Sequence, residues 1–299
     1  MKIAIILNGA SGKKKKFYSS FLQRLQQKFD CTIFETKAVW HASVLAAEMS
    51  ENFDILISAG GDGTLHEVIN GLLQNPLKKI PTLGVIPLGS GNDFATACGL
   101  SLDIDQLEEI LKKNQPQLTD VGKIFCFDEA GLPIEKYFIN ACSIGMGPAT
   151  VSRMKNSPKW QGADLRYLKS ILQTFFSHQP ELLEVKSTNS EWKGRTRVFA
   201  VANGKSFGNK IYIAPDANLG DGVFNSFRAA EIPLFKFLLY LQRLKGKKKV
   251  KDDEITYATG DWFEIKSSQR VMLEADGELV GYLPARIEIL PQKIRVLRK

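Results

Sequence analysis

Short apolar runs and helical spacings alternate through the first third of the chain. Lys2 to Leu7 is a nearly unbroken apolar run of strand length, Phe17 to Phe29 spaces its apolar residues as an amphipathic helix does, Thr32 to Thr36 returns to a strand, and Ser43 to Met49 to a helix. Phe53 to Ser58 predicts a further strand, Leu65 to Leu73 a helix, and Thr82 to Ile86 a strand that stops at Pro87. Such alternation predicts a mostly parallel sheet with helices on both faces. Later the texture changes to strand-like runs broken by Gly, Pro, Asn and Asp: Lys136 to Ile139, Arg197 to Val201, Ile211 to Ala214, Val223 to Phe227, Asp261 to Lys266, Val271 to Ala275 and Arg286 to Leu290. Helical patterns at Ala163 to Phe176 and Pro233 to Leu244 interrupt them. The expectation is an N-terminal α/β domain over residues 1–122 and a mainly antiparallel β domain over 123–287, with no internal repeat.

Composition narrows the function classes. The chain has 299 residues, 44% apolar and 24% charged, which predicts a folded protein throughout. Cys31, Cys98, Cys126 and Cys142 form no CxxC pair and sit in or beside apolar runs, so they are expected to be reduced and buried. His41, His66 and His178 lack zinc spacing. The N-terminus runs apolar then basic, the reverse of a secretory signal, and the stretch Ile232 to Leu244 carries Lys236 and Arg243 and falls short of the ~20 residues that span a bilayer. A cytoplasmic protein is expected. Net charge is +8, with clusters at Lys13 to Lys16 and Lys247 to Lys251 that suit anionic partners or simply a solvated surface.

Two glycine turns carry the candidate chemistry. In FDILISAGGDGTLHEVINGLL an apolar strand meets Gly60, Gly61, Asp62, Gly63 and Thr64 and then a helix. Glycine lets a turn present bare N–H groups, and the helix N-terminus adds positive potential, which together cradle phosphate. The turn is neither GxGxxG nor a P-loop. Asp62 would repel phosphate unless a divalent ion stood between them, although it could equally cap the helix. A second turn, LGVIPLGSGNDFA, brings Asn92 and Asp93 after another strand. Adjacent parallel strands would set Asp62 and Asp93 at one carboxyl edge, where open α/β sheets bind ligands. Asp120 follows at the expected domain junction.

These residues resemble the diacylglycerol kinase catalytic domain family, in particular its bacterial lipid kinases. The resemblance runs through Asn8, Ser11 and Gly12; Thr36; GGDGTLHEVINGL; PLGSGNDFA; FINACSIGMG at 138–147; VANGKSFGNKIYIAPDANLGDG at 201–222; and EADGE at 274–278. The chain departs from the family at Gly9, His66, the run Gly208 to Lys210 and Gly147 to Ala149, none of which removes a phosphate-binding glycine or a proposed acid. The resemblance implies an NAD kinase/phosphofructokinase-like α/β nucleotide-binding domain and a C-terminal β-sandwich, with residues from about 288 to 299 returning to the first domain.

By the same resemblance ATP would contact Asn8, Ser11, Gly12, Thr36, Gly60, Gly61, Asp62, Gly63, Thr64, Leu65, His66 and Ser90, and Asp62, Asp93 and Asp120 would organise catalytic Mg2+ partly through water. Asn218, Asp221 and Val223 resemble a second, structural Mg2+ site, with Ca2+ the alternative ion; the same stretch also reads as a β-turn. The general base would lie in DGE, Asp276 with Glu278 as rival, where DG is equally a hairpin signal. The implied reaction moves the γ-phosphate of ATP to a membrane-lipid hydroxyl, diacylglycerol first, with transient contact at the inner face of an anionic membrane and no nucleic acid. A homodimer stays open. A sphingoid-base, phosphatidylglycerol or NAD kinase, or a non-catalytic nucleotide- or lipid-binding sensor, are the alternatives.

Overall fold

The structure, a computed structural model, describes residues 1–75, 79–157 and 162–299, with Ala163 and Asp164 through their backbone alone. It divides into two compact units, residues 1–119 with 292–299, and residues 120–291.

In the first unit β1 (Lys2–Leu7), β2 (Asp30–Glu35), β3 (Ile55–Gly60) and β4 (Thr82–Pro87) form a parallel sheet in the order β2-β1-β3-β4. Near the chain's end Val296 pairs in parallel with Leu83, adding a fifth position beside β4. Apart from Lys2, every residue of β1, β3 and β4 is buried, which explains why these strands read as unbroken apolar runs without alternation. The first helical segment comprises α1 (Lys14–Lys16), a π-helical stretch (Phe17–Leu22) and α2 (Gln23–Lys28), and buries Phe17, Phe21 and Leu25. Then follow α3 (His41–Met49), α4 (Asp62–Leu73), α5 (Asp93–Ala97) and α6 (Ile104–Lys113). Helices α3 and α4 cross closely because Gly71 has no side chain: a Cβ there would lie 2.1 Å from the Ser43 carbonyl oxygen.

The second unit takes up β5 (Gln117–Phe127) at Asp120, and continues with β6 (Pro133–Phe138), β7 (Ala141–Gly145), α7 (Met146–Lys155), α8 (Ala163–Ser177), β8 (Glu181–Ser187), β9 (Glu191–Thr196), β10 (Val198–Ala202), β11 (Phe224–Ala229), α9 (Leu234–Lys245), β12 (Ile255–Gly260), β13 (Trp262–Lys266), β14 (Met272–Ala275) and β15 (Glu278–Val296). Strands β12-β11-β10-β7-β14-β15 pair antiparallel, and the long β15 also pairs with β13 and β5, which extend to β8-β9 and β6. Alternate residues divide two cores. Cys142, Ile144, Phe199, Val201, Leu273 and Ala275 enter the sandwich interior with Phe138 and Phe263. Ala141, Ala200, Ala202 and Phe227 face the other way, onto Ile171 of α8 and Tyr240 and Leu244 of α9.

The expected strand at Ile211 to Ala214 is replaced by one isolated bridge, Phe207 to Ile211. Ile211, Ile213 and Ala214 bury their side chains in the helix-covered core, so the run is apolar for packing reasons while Tyr212 N–H donates to the Leu244 carbonyl at the end of α9. Cys98, Cys126 and Cys142 are buried free thiols, whereas Cys31 is half-buried. Among the described residues no helix is long and apolar enough to cross a membrane.

Candidate active site

The first unit builds a cradle at the carboxyl ends of β1, β3 and β4. Asn8 is fixed as β1 ends: its N–H donates to Ala59 (2.9 Å), its Nδ2 donates to Thr64 Oγ1 (2.9 Å), and its Oδ1 accepts from Ala10 N–H (2.9 Å). Thr36 Oγ1 accepts from Gly9 N–H (3.1 Å), and Ser11 Oγ donates to the Leu88 carbonyl (3.3 Å). The two glycine turns touch backbone to backbone, since a Cβ on Gly89 would stand 2.4 Å from Gly61 Cα. Gly12 has open space where its side chain would be. Helix α4 starts at Asp62 with Gly61 as its N-cap and no side-chain cap, so the positive end of the helix dipole lies at the glycine turn, where an anion is favoured. Ser90 is exposed at the rim. Leu65 and His66 are buried, His66 packing against the Trp40 ring and lying 3.3 Å from Asn70 Nδ2, so their route to a ligand is through main chain.

Asp62 and Asp93 come together around Gly91. A Cβ at Gly91 would lie 3.0 Å from Asp62 Oδ2 and 3.8 Å from Asp93 Oδ2, and Asn92, in the left-handed region at φ 57°, donates its N–H to Asp62 Oδ2 (2.8 Å). Two hard carboxylates at the rim of an anion cradle fit a magnesium-like ion, which takes one or two carboxylates and completes its shell with water and phosphate oxygens. Among the described residues no three His, Cys, Asp or Glu form a metal-holding group, so such an ion would depend on those further oxygens.

Asp120 belongs to the second unit. There its N–H donates to the Leu219 carbonyl (2.7 Å), its carbonyl accepts from Asn203 Nδ2 (2.9 Å), and its Oδ2 accepts from Gly222 N–H (2.8 Å). It thus sits on the loop that carries Asn218, Asp221 and Val223. Asp221 is exposed and its Oδ1 accepts from Val223 N–H (3.2 Å), a local turn that offers hard oxygens at a surface.

Asp276 and Gly277 form a two-residue hairpin loop, closed by the pair Ala275 and Glu278, with φ of 52° and 83°. This is the type I′ pattern that DG favours, so the hairpin and the acid coincide. Asp276 is 8% exposed, and its carboxylate accepts three main-chain N–H groups: Asn140 (2.9 Å) and Ala141 (3.2 Å) on Oδ1, Ile139 (3.0 Å) on Oδ2. Its orientation is therefore fixed. Glu278 is partly exposed and pairs with Lys155 of α7 at 2.5 Å. Sequence reasoning missed Glu274. It is 1% exposed, accepts from the Ser143 hydroxyl and from Gly277 N–H (2.9 Å), and burial pushes its carboxyl up to about 8. The available signal was a charged residue in a strand position flanked by Leu273 and Ala275.

Helices α8 and α9 meet where the Phe175 and Phe237 rings lie 4.8 Å apart. Each keeps an apolar outer stripe: Leu165, Leu168 and Phe176 on α8, Phe235, Leu238 and Leu239 on α9, with Phe176 and Phe235 each 69% exposed. Spacings of three, four and eight place each set on one helix face. Arg243, Lys245, Lys247 and Lys248 follow, all exposed.

Comparison with known proteins gives consistent results. The description "Diacylglycerol kinase catalytic domain" matches residues 2–124, and "YegS C-terminal NAD kinase beta sandwich-like domain" matches residues 141–298. The diacylglycerol kinase of Bacillus subtilis strain 168 is 30% identical over 301 residues, spanning 98% of this chain and 95% of that protein. The crystal structure of a diacylglycerol kinase from Bacillus anthracis str. Sterne covers 100% of this chain and 97% of its own, with a TM-score of 0.74 at 20% identity. An NAD kinase from Archaeoglobus fulgidus, solved in complex with ATP, covers 99% of this chain and 92% of its own, with a TM-score of 0.51 at 14% identity. The two structural likenesses bear out the expected fold.

Proposed function

This chain belongs to the diacylglycerol kinase family, and from that premise we propose that it transfers the γ-phosphate of ATP to the hydroxyl of a membrane lipid, diacylglycerol first, to give phosphatidic acid. The observation that carries the reading is the approach of Asp62 and Asp93 around Gly91 beside the turn backbones. A pure phosphate binder gains nothing from two carboxylates at its anion cradle, because they repel the ligand unless a cation intervenes.

In this reading the first unit binds the nucleotide. Main-chain N–H groups of the glycine turns and the start of α4 hold phosphate oxygens, while Asn8, Ser11, Gly12, Thr36 and Ser90 shape the rest of the nucleotide site. Asp62 and Asp93 would hold a divalent ion, with Asp120 as the further acid named by the resemblance, and the chemistry such an ion supplies is neutralisation of phosphate charge. Asp276 accepts the proton from the lipid hydroxyl, its carboxylate held in one orientation by the three main-chain donors; Glu278, anchored by Lys155, is the second acid of the turn. The loop with Asn218, Asp221 and Val223 would take a structural magnesium or calcium ion. The apolar stripes of α8 and α9, with the basic run behind α9, would rest on an anionic bilayer from which the acceptor is drawn.

The deciding experiment incubates purified protein with labelled ATP, magnesium and separate preparations of diacylglycerol, a sphingoid base, phosphatidylglycerol and NAD, and identifies the labelled product. Phosphatidic acid as the main product is expected. Label in another acceptor would replace the substrate assignment, and none in any would favour a nucleotide- or lipid-binding sensor.

A further inference from the structure

We infer that Trp40 is the platform on which the base of the nucleotide stacks, and that its ring, rather than the cradle, distinguishes ATP from a bare polyphosphate. The inference rests on the reading of the first unit's cradle as the nucleotide site. Trp40 occupies a position that asks for a different residue. The turn from Ala38 to His41 is closed by His41 N–H donating to the Ala38 carbonyl (3.3 Å), and Lys37 N–H donates to His41 Nδ1 (2.9 Å). Its third residue, Trp40, has φ 65° and ψ 3°, the left-handed conformation for which turns take glycine or asparagine. A bulky aromatic residue there is a steric outlier, and such strain gathers where a ligand is held. Nor does packing call for the ring: the apolar core of the first unit forms without it, and Trp40 is 38% exposed.

The surroundings point the ring to the nucleotide. Trp40 follows shortly after Thr36, whose Oγ1 accepts from Gly9 N–H at 3.1 Å, and its ring meets that of His66 at 5.9 Å between centroids and 63° between planes. His66 ends the run Gly60 to His66 that opens α4. It is fully buried, and Asn70, one turn later, donates Nδ2 to its carbonyl (2.8 Å) and lies 3.3 Å from its Nε2. The indole is thus backed by a fixed ring near the start of α4, and part of its surface faces solvent. An aromatic surface that is already immobilised costs little entropy to use, and every base has a π-face to lay on it. Phosphates on the cradle amides and the base on the indole are then bound by separate chemistries, charge and stacking.

The test measures binding of ATP and of inorganic tripolyphosphate, each with magnesium, to the full chain by calorimetry, together with kcat and KM for ATP on diacylglycerol vesicles. Trp40→Asn removes the ring and keeps a residue that tolerates the left-handed turn. It should weaken ATP binding and raise KM for ATP by about tenfold or more, and leave tripolyphosphate affinity and kcat within about twofold. Trp40→Phe keeps an aromatic face and should hold ATP affinity within about threefold of wild type. The chain has four tryptophans, and ATP should quench wild-type emission far more than that of Trp40→Phe, while tripolyphosphate quenches neither. Unchanged ATP affinity in the Asn variant would overturn the inference, as would equal losses for ATP and tripolyphosphate, which would assign Trp40 to the shape of the cradle. Equal losses in the Asn and Phe variants would also overturn it. A wild-type chain that binds tripolyphosphate but not ATP would instead overturn the nucleotide reading on which the inference rests. If the Asn variant does not fold, emission decides, and equal quenching of wild type and Trp40→Phe counts against the inference.

Discussion

Replacing Asp276 by asparagine tests a different property from replacing Glu278 by glutamine. Asp276 accepts three main-chain N–H groups with its two oxygens, so the amide variant turns an NH2 toward at least one donor. Denaturant unfolding should show a loss of about 1 to 3 kcal/mol together with lost turnover. Glu278→Gln breaks a partly exposed ion pair and should leave stability within about 0.5 kcal/mol, so its kinetic effect can be read without a folding correction. For Asp62→Ala the expectation is abolished turnover with the fold retained, at a stability loss of about 1 kcal/mol because the Asn92 N–H loses its acceptor; wild-type activity would refute its proposed role toward the cation. Glu274 also sets a pH dependence of stability. Its folded value of about 8 lies above the ordinary 4.5. Stability is full below about 4.5 and falls as pH rises towards about 8, because the unfolded chain releases that proton while the folded chain keeps it. Thermal melts across this window should slope downward in wild type, and Glu274→Gln should flatten them. At this scale Asp62, Asp93 and Asp276 were legible as acids beside glycine, whereas Glu274 was not, since its importance depends on facing Ser143 from a strand 131 residues away.

Among elements, legibility followed local determinants. Strand β1 coincides with its expected bounds, and α3, α4, α8 and α9 differ from expectation by a few residues at their ends, where caps rather than apolar periodicity decide. Helix α6 is absent from the expectation although Asp103 caps it, accepting from Asp105 N–H at 2.9 Å and from Gln106 N–H at 3.4 Å; its charged composition outweighs Leu107 and Leu111 in a count of apolar residues. Strands β8 and β9 escaped because alternate polar residues dilute their apolar face. The α3 and α4 crossing makes a sharp prediction: Gly71→Ala drives a methyl into the Ser43 carbonyl, and chemical denaturation should report a loss of about 1 to 3 kcal/mol. On α9, Phe235→Asp with Leu239→Asp should weaken sedimentation with anionic vesicles about tenfold or more, while ATP affinity and the unfolding midpoint hold. Equal vesicle binding by that variant would exclude α9 as the docking element.

For the whole molecule, the change of texture along the sequence reflects the two ways a strand can be buried: on both faces in the first unit, on alternate residues in the second. The net charge of +8 implies that vesicle association should fall as salt rises, since exposed charges are screened over ~8 Å at physiological ionic strength. Residues 292–299 belong to the first unit, where Val296 and Leu297 are buried, Val296 pairs with Leu83, and Lys299 N–H donates to the Cys98 carbonyl at 3.0 Å. Deleting 292–299 should cost the first unit about 3 kcal/mol or more and expose it to limited proteolysis ahead of the second. The same return has a consequence for biosynthesis. On the ribosome, the strand that finishes the first unit's parallel sheet emerges only after all of residues 120–291, so a nascent chain would have the sandwich available to fold while the first unit still lacks its closing edge.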